Sequence, residues 1–184
     1  MLCSMEHAKF WALIDDARRE VGEPRGTEAV ASQAAAILAG CPEQEIVAAQ
    51  QSLWDLMTES YTTRLWGAAY EINGGRSDDL FDYFRGWLIV QGRATYERVV
   101  SDPDSLADVP EIQRIIADEE DVECETALSI AWTAYITATG VQMPDDAYTI
   151  RYRDLEPGWD FDDEEAMQLQ LPRLTALTQQ RDRS

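Results

Sequence analysis

Apolar residues recur at three- and four-residue spacing along most of the chain, the period of helices that each bury one face. Phe10, Leu13, Ile14, Ala17 and Val21 mark a first helix ending near Gly22. Val30, Ala34, Ile37 and Leu38 mark a second, with Thr27 suited to its N-cap and Gly40 to its stop. Pro42 fits the first position of a third, along which Ile46, Gln50, Leu53, Met57, Tyr61 and Leu65 recur. That stripe continues through Ala68, Ala69 and Ile72, either as one long helix or as two broken near Thr62-Thr63. Asn73-Gly74-Gly75 ends it, because Asn and Gly tolerate the left-handed backbone of a helix C-cap. Ser77 or Asp78 caps the next helix, whose buried stripe is Leu80, Phe81, Phe84, Leu88 and Gln91, with Gly86 and Gly92 inside it.

The second half of the chain is less regular. Asp102-Pro103-Asp104-Ser105 reads as a turn, and Pro110 opens a helix with Ile112, Ile115 and Ile116. A further helix carries Cys124, Leu128, Ala131, Trp132 and Tyr135 and ends at Gly140. Residues 148–152 (Tyr-Thr-Ile-Arg-Tyr) alternate as a short strand does, and a last helix runs from Asp162 to Gln170, stopped before Pro172. No internal repeat or long linker interrupts the pattern. The expectation is an all-α, single-domain irregular bundle of seven to nine helices over residues 1–178, with one short strand near the C-terminus and a frayed tail at 179–184.

Composition narrows the function classes. The 184 residues carry a formal net charge of −20, from 35 acidic and 15 basic side chains, and are 45% hydrophobic. Such a chain can bury a core, so the charge is not that of a disordered acidic polymer. It repels phosphate backbones and anionic membranes, which argues against direct nucleic-acid or membrane binding. A basic protein, a cation, or a nucleic-acid-binding protein whose site it occupies is the electrostatically fitting partner, although solubility alone accounts for the charge equally well. Cys3, Cys41 and Cys124 are odd in number and show no C-x-x-C spacing, so they read as reduced thiols. No basic region precedes an apolar run at the start, and no stretch approaches the ~18 apolar residues of a membrane helix. A cytoplasmic protein is expected.

The candidate chemistry centres on residues 73–85. A tight Asn-Gly-Gly turn feeding an acid-capped helix places Asp78 and Asp79 beside free backbone N–H groups, where the helix dipole favours them. Arg85 follows among Tyr83, Phe84 and Trp87, and an arginine so flanked usually has a carboxylate partner. The functional reading is a small polar pocket in which Asn73, Asp78, Tyr83 and Arg85 bind a ligand or position a proton. The competing reading makes Asp78 a cap, Arg85 a structural ion pair, and the glycines a packing device in which Gly86 and Gly92 allow a close crossing with Gly67 and Ala68. Trp66, Asp79, Trp87, Asp102 and Asp104 complete the candidate ligand- or partner-binding residues. Trp11 and Trp54 lie slightly off their apolar stripes and are candidate surface anchors for a partner.

Other chemistries fit poorly. The acidic runs at 118–125 and 160–165 do not follow the calcium-loop pattern: counting from Asp160, the sixth residue is Glu165 rather than Gly and the twelfth is Leu171 rather than Glu. Solvated faces are expected there, and no metal. His7 is the only histidine, which excludes a multi-histidine zinc or iron site and leaves a serine or cysteine triad without a well-placed base. There is no phosphate loop and no dinucleotide fingerprint, so no cofactor is expected.

One block carries a resemblance. Trp66-Gly67-Ala68-Ala69-Tyr70, Asn73-Gly74-Gly75, Ser77-Asp78-Asp79, Tyr83-Phe84-Arg85-Gly86-Trp87-Leu88, Gln91-Gly92-Arg93 and Asp102-Pro103-Asp104-Ser105-Leu106 resemble the domain of unknown function 4240 family, common in actinomycetes. Phe10-Trp11-Ala12-Leu13-Ile14 and Trp159-Asp160-Phe161-Asp162-Asp163 look like that family too, which extends the resemblance over nearly the whole chain. The resemblance implies one small helical domain and supplies no catalytic residues. With charge, motifs and resemblance combined, the expected function is a non-catalytic acidic interaction module of the immunity, inhibitor or regulator kind. The alternative is an enzyme or small-molecule-binding protein using the pocket at Asn73, Asp78, Tyr83 and Arg85.

Overall fold

A computed structural model describes residues 2–22, 26–75, 77–118, 120–151 and 153–181, without the side chains of residues 2–6 and 181. Those residues form ten α-helices: α1 (Leu2–Val21), α2 (Thr27–Leu38), α3 (Glu43–Glu59), α4 (Thr63–Asn73), α5 (Asp78–Val90), α6 (Arg93–Ser101), α7 (Pro110–Asp118), α8 (Ile130–Thr139), α9 (Glu164–Gln170) and α10 (Pro172–Arg181). Two 3-10 helices, Pro103–Asp108 and Glu125–Ser129, connect some of them, and no strand occurs among the described residues. The all-helical class is as expected, but the helix number is higher for two physical reasons. Gly92 adopts φ +91°, which ends α5 and starts α6 where a continuous helix was expected. Pro172, read as a stop, is instead the first residue of α10.

The long stripe from Ile46 to Ile72 is two helices. Ser60 closes α3, and the Thr62 hydroxyl accepts the Leu65 N–H at 3.3 Å to start α4. Gly74 at φ +73° then ends α4, with the N–H groups of Gly74 and Gly75 both donating to the Tyr70 carbonyl. Pairs α1–α2, α1–α3, α2–α8 and α3–α8 form one layer of the bundle. Helix α5 packs on the Glu125–Ser129 turn, and α10 packs on α9 and the Pro103–Asp108 turn. Buried apolar side chains from Phe10 to Leu174 make a continuous cluster. Trp11 belongs to it: at 5% exposure and 5.2 Å from the Tyr96 ring, it is a core residue and not a surface anchor.

Among the described residues the expected strand does not form, because the backbone there is bonded by side chains rather than by another strand. Residues 141–151 and 153–163 run irregularly across α3 and α4. The Gln51 amide brackets Thr149, donating to its carbonyl at 3.0 Å and accepting its N–H at 2.8 Å. The Thr58 hydroxyl donates to the Arg151 carbonyl at 2.8 Å and the Thr63 hydroxyl to the Glu156 carbonyl at 2.6 Å. Further along, Trp159 and Phe161 lie where a Cβ on Gly67 would meet them, the nearest atom at 2.7 Å, and the Tyr70 hydroxyl donates to Asp162. Gly67 therefore seats this strap rather than a helix crossing. Tyr152, the last residue of the expected strand, lies outside the described residues.

Candidate functional site

Arg85 is the most constrained charged group of the central block. Its side chain is 6% exposed, and its guanidinium donates to the Met57 carbonyl and to Asp82 one turn away. The Cζ atom sits 4.9 Å from the Tyr61 ring centroid and 4.7 Å from that of Phe81, so the planar cation is flanked by two aromatic rings. Burial lowers its pKa and the Asp82 carboxylate opposes that shift; an arginine stays charged throughout. The expected carboxylate partner is present: it is Asp82. Trp66 stacks on Phe81 at 4.9 Å and 17°, extending the aromatic wall.

The other candidates divide among several places. Asp78 and Arg85 line one cleft, together with Trp54, Tyr61, Asp82 and residues of the strap. Asn73 is buried, where its amide clamps Val122: Nδ2 donates to the Val122 carbonyl at 3.2 Å and Oδ1 accepts its N–H at 3.0 Å. Trp87 lies in the core. Ser77 is the N-cap residue of α5, without a capping bond from its side chain, and Asp78 and Asp79 follow as exposed first-turn acids. Gly86 meets the Cys124 carbonyl and Ala127, not α4, so the crossing expected with Gly67 and Ala68 does not form.

Asp102 and Asp104 belong to a clasp on α10. Asp104 is 4% exposed and accepts the N–H groups of Arg173 at 3.0 Å and Leu174 at 2.9 Å, capping α10 from 70 residues away. Arg173 Nε also donates to Asp104 at 3.0 Å, and the same guanidinium reaches Asp102 at 3.1 Å and Asp108 at 2.7 Å. Arg64 of α4 holds Asp102 at 3.3 Å from the other side. The Asp-Pro-Asp pattern offered a turn signal, but no spacing rule pointed to a partner so far along the chain.

Tyr83 faces an acidic surface. The Cys124 N–H donates to its carbonyl at 3.0 Å, which brings the 120–125 loop against α5. The phenol pKa is raised, first by the charge of Glu125, then by desolvation and by Asp79 and Asp82. Glu125 is exposed beside it, and Glu28 of α2 and Glu123, both exposed, act on Cys124. Among the described residues no group of three or more potential ligands converges in a way that could hold a metal ion. Burial pushes the Cys124 thiol up to about 12, which removes it as a nucleophile. His7 contacts Asp55 at 3.4 Å. In the second acidic run, Asp163 caps α9 by accepting the N–H groups of Glu165 at 3.1 Å and Ala166 at 3.2 Å, as expected for acids opening a helix.

These features define an acidic all-helical protein with one buried, ring-flanked arginine and an exposed carboxylate surface beside it. A family model described as "Protein of unknown function (DUF4240)" matches residues 5–137, and the chain belongs to that family. The match ends before Trp159–Asp163, so it covers the helical body through most of α8 and not the strap or α9 and α10. No curated protein and no solved structure matches the chain.

Proposed function

We propose that this protein is an acidic protein-interaction module of the immunity, inhibitor or regulator kind, which binds a basic partner protein rather than transforming a substrate. The observation that carries this reading is the pair of exposed carboxylates Glu125 and Asp79, whose charges, with desolvation and Asp82, hold the Tyr83 phenol above its ordinary value. Carboxylates that do not converge on a metal geometry suit a spread of lysine and arginine side chains. Tyr83 at the centre adds an amphipathic ring of the kind that anchors interfaces. The net charge of −20 steers a cationic partner and disfavours nucleic acid and anionic membrane. No described helix is long and apolar enough to cross a membrane. The unbonded Cys41 and Cys124 fit action in a reducing cytoplasm.

The test is affinity capture from the native cytoplasm at low and high salt, with an Asp79→Lys/Glu123→Lys/Glu125→Lys variant alongside the natural chain. A basic protein held at low salt, released at high salt and lost by the variant is the expected result. A partner held equally by both chains, or none at any salt, refutes the acidic surface as the docking face.

A further inference from the structure

The cleft under the strap is built differently from that surface. In a chain this acidic, the described basic side chains are mostly taken up by carboxylates, from Lys9 on Glu45 to Arg173 on its three aspartates. Arg18 is held by the Val90 carbonyl. Arg98, Arg151 and Arg153 hold no such partner among the described residues, and two of these three line the same cleft. Its volume is about 220 Å³, and its walls come from the C-terminal half of α3, the first two turns of α5 and the strap. Arg85 lines it too, fixed by Met57, Asp82 and the two rings. The buried Nε1 of Trp54 and Nε of Arg85 both lack a hydrogen-bond partner. Buried polar atoms in that state are rare in folded proteins.

We propose that this cleft binds a small monoanionic carboxylate carried on a single aromatic ring. Three spare donors line it, the guanidiniums of Arg151 and Arg153 and the indole N–H of Trp54, beside the exposed carboxylate of Asp78. Their ligand must therefore bring acceptors and negative charge, and a guanidinium matches a carboxylate with two parallel bonds. Trp54 and Tyr61 line the cleft and give it aromatic surface against which a ring can pack. The volume falls below the ~300–1,000 Å³ of sites for drug-sized ligands, which limits the guest to about one ring. Asp78 and Asp82 share the lining and penalise a dianion, so carboxylate is favoured over phosphate.

The experiment is titration calorimetry and ligand-observed NMR on the full chain with benzoate, its neutral isostere benzamide, and inorganic phosphate. Benzoate is expected to bind with a dissociation constant of about 1 mM or below, and both other probes about tenfold or more weakly. Arg151→Ala/Arg153→Ala should weaken benzoate about tenfold without moving the melting temperature, because both side chains are exposed and unpaired. Trp54→Phe keeps a ring, loses the donor and should weaken benzoate as well. The Asp79, Glu123 and Glu125 charge reversals should leave benzoate binding intact, which separates this site from the acidic face. Equal binding of benzoate and benzamide, tighter binding of phosphate, an unaffected arginine double variant, or no saturable benzoate binding up to about 10 mM overturns the proposal.

Discussion

Asp104→Ala probes how the C-terminal helices are fastened to the rest of the bundle. The carboxylate accepts two backbone N–H groups at the start of α10, at 3.0 and 2.9 Å, and one guanidinium N–H at 3.0 Å. Truncation strips α10 of its cap and strands the buried Leu174 N–H, which together cost about 2 kcal/mol. The ion pair adds only about 0.5 kcal/mol, because Arg173 is half exposed and keeps Asp102 and Asp108. The expected loss of about 2.5 kcal/mol corresponds to a melting temperature lower by about 5–10 °C for a chain of this size. Asp108→Ala removes one exposed partner of the same arginine and should cost about 0.5 kcal/mol or less. Urea denaturation of both variants, with amide exchange along α10, measures the difference. If Asp104→Ala is no more destabilising than Asp108→Ala, the carboxylate is not the cap that holds α10.

Two further outcomes follow from packing and burial. In Gly86→Ala the new Cβ would sit 2.6 Å from the Cys124 carbonyl oxygen, on a backbone already tied to Tyr83. The overpacking should outweigh the helix-propensity gain and lower stability by about 1–2 kcal/mol, whereas a higher urea midpoint would mean that the 120–125 loop yields. Burial raises the Glu111 carboxyl above its ordinary 4.5, with Trp87 and Arg114 pulling the other way. The folded state then holds that proton more tightly than the unfolded one, so stability falls as pH rises from 4.5 through the folded value. Glu111→Gln should match the natural chain near pH 4 and exceed it near pH 7, read from urea midpoints; a constant difference across that range refutes it.

The helical body was legible because each of its helices buries one face. The end of α1, the stripes of α2 to α4, the start of α5 and the αL cap at Gly74 appear in the sequence at their observed places to within a residue or two, with Gly26 rather than Thr27 at the N-cap of α2. What stayed hidden depends on partners remote in sequence. Asp104 caps α10 across 70 residues, so Pro172 looked like an end when it was a beginning. Gln51, Thr58 and Thr63 hold the strap by its backbone, and alternation alone then suggested a strand. Within the candidate site, the aromatic setting of Arg85 could be read from its neighbours, but its partner could not. That partner is Asp82, at the i−3 position favoured for helical ion pairs.

The way the strap is held separates its course from its composition. Gln51, Thr58 and Thr63 grip main-chain atoms of Thr149, Arg151 and Glu156, atoms that every amino acid carries except for the N–H that proline lacks. Side chains at 150, 151 and 153 can therefore be exchanged with little cost to the path of the segment. The floor of the cleft, Arg85 on its rings, lies within the stretch shared with the family, while the strap lies beyond it. One fixed cation beneath a replaceable wall gives a binding site whose preference can be rewritten by a few substitutions in a single short segment, leaving the helical body untouched.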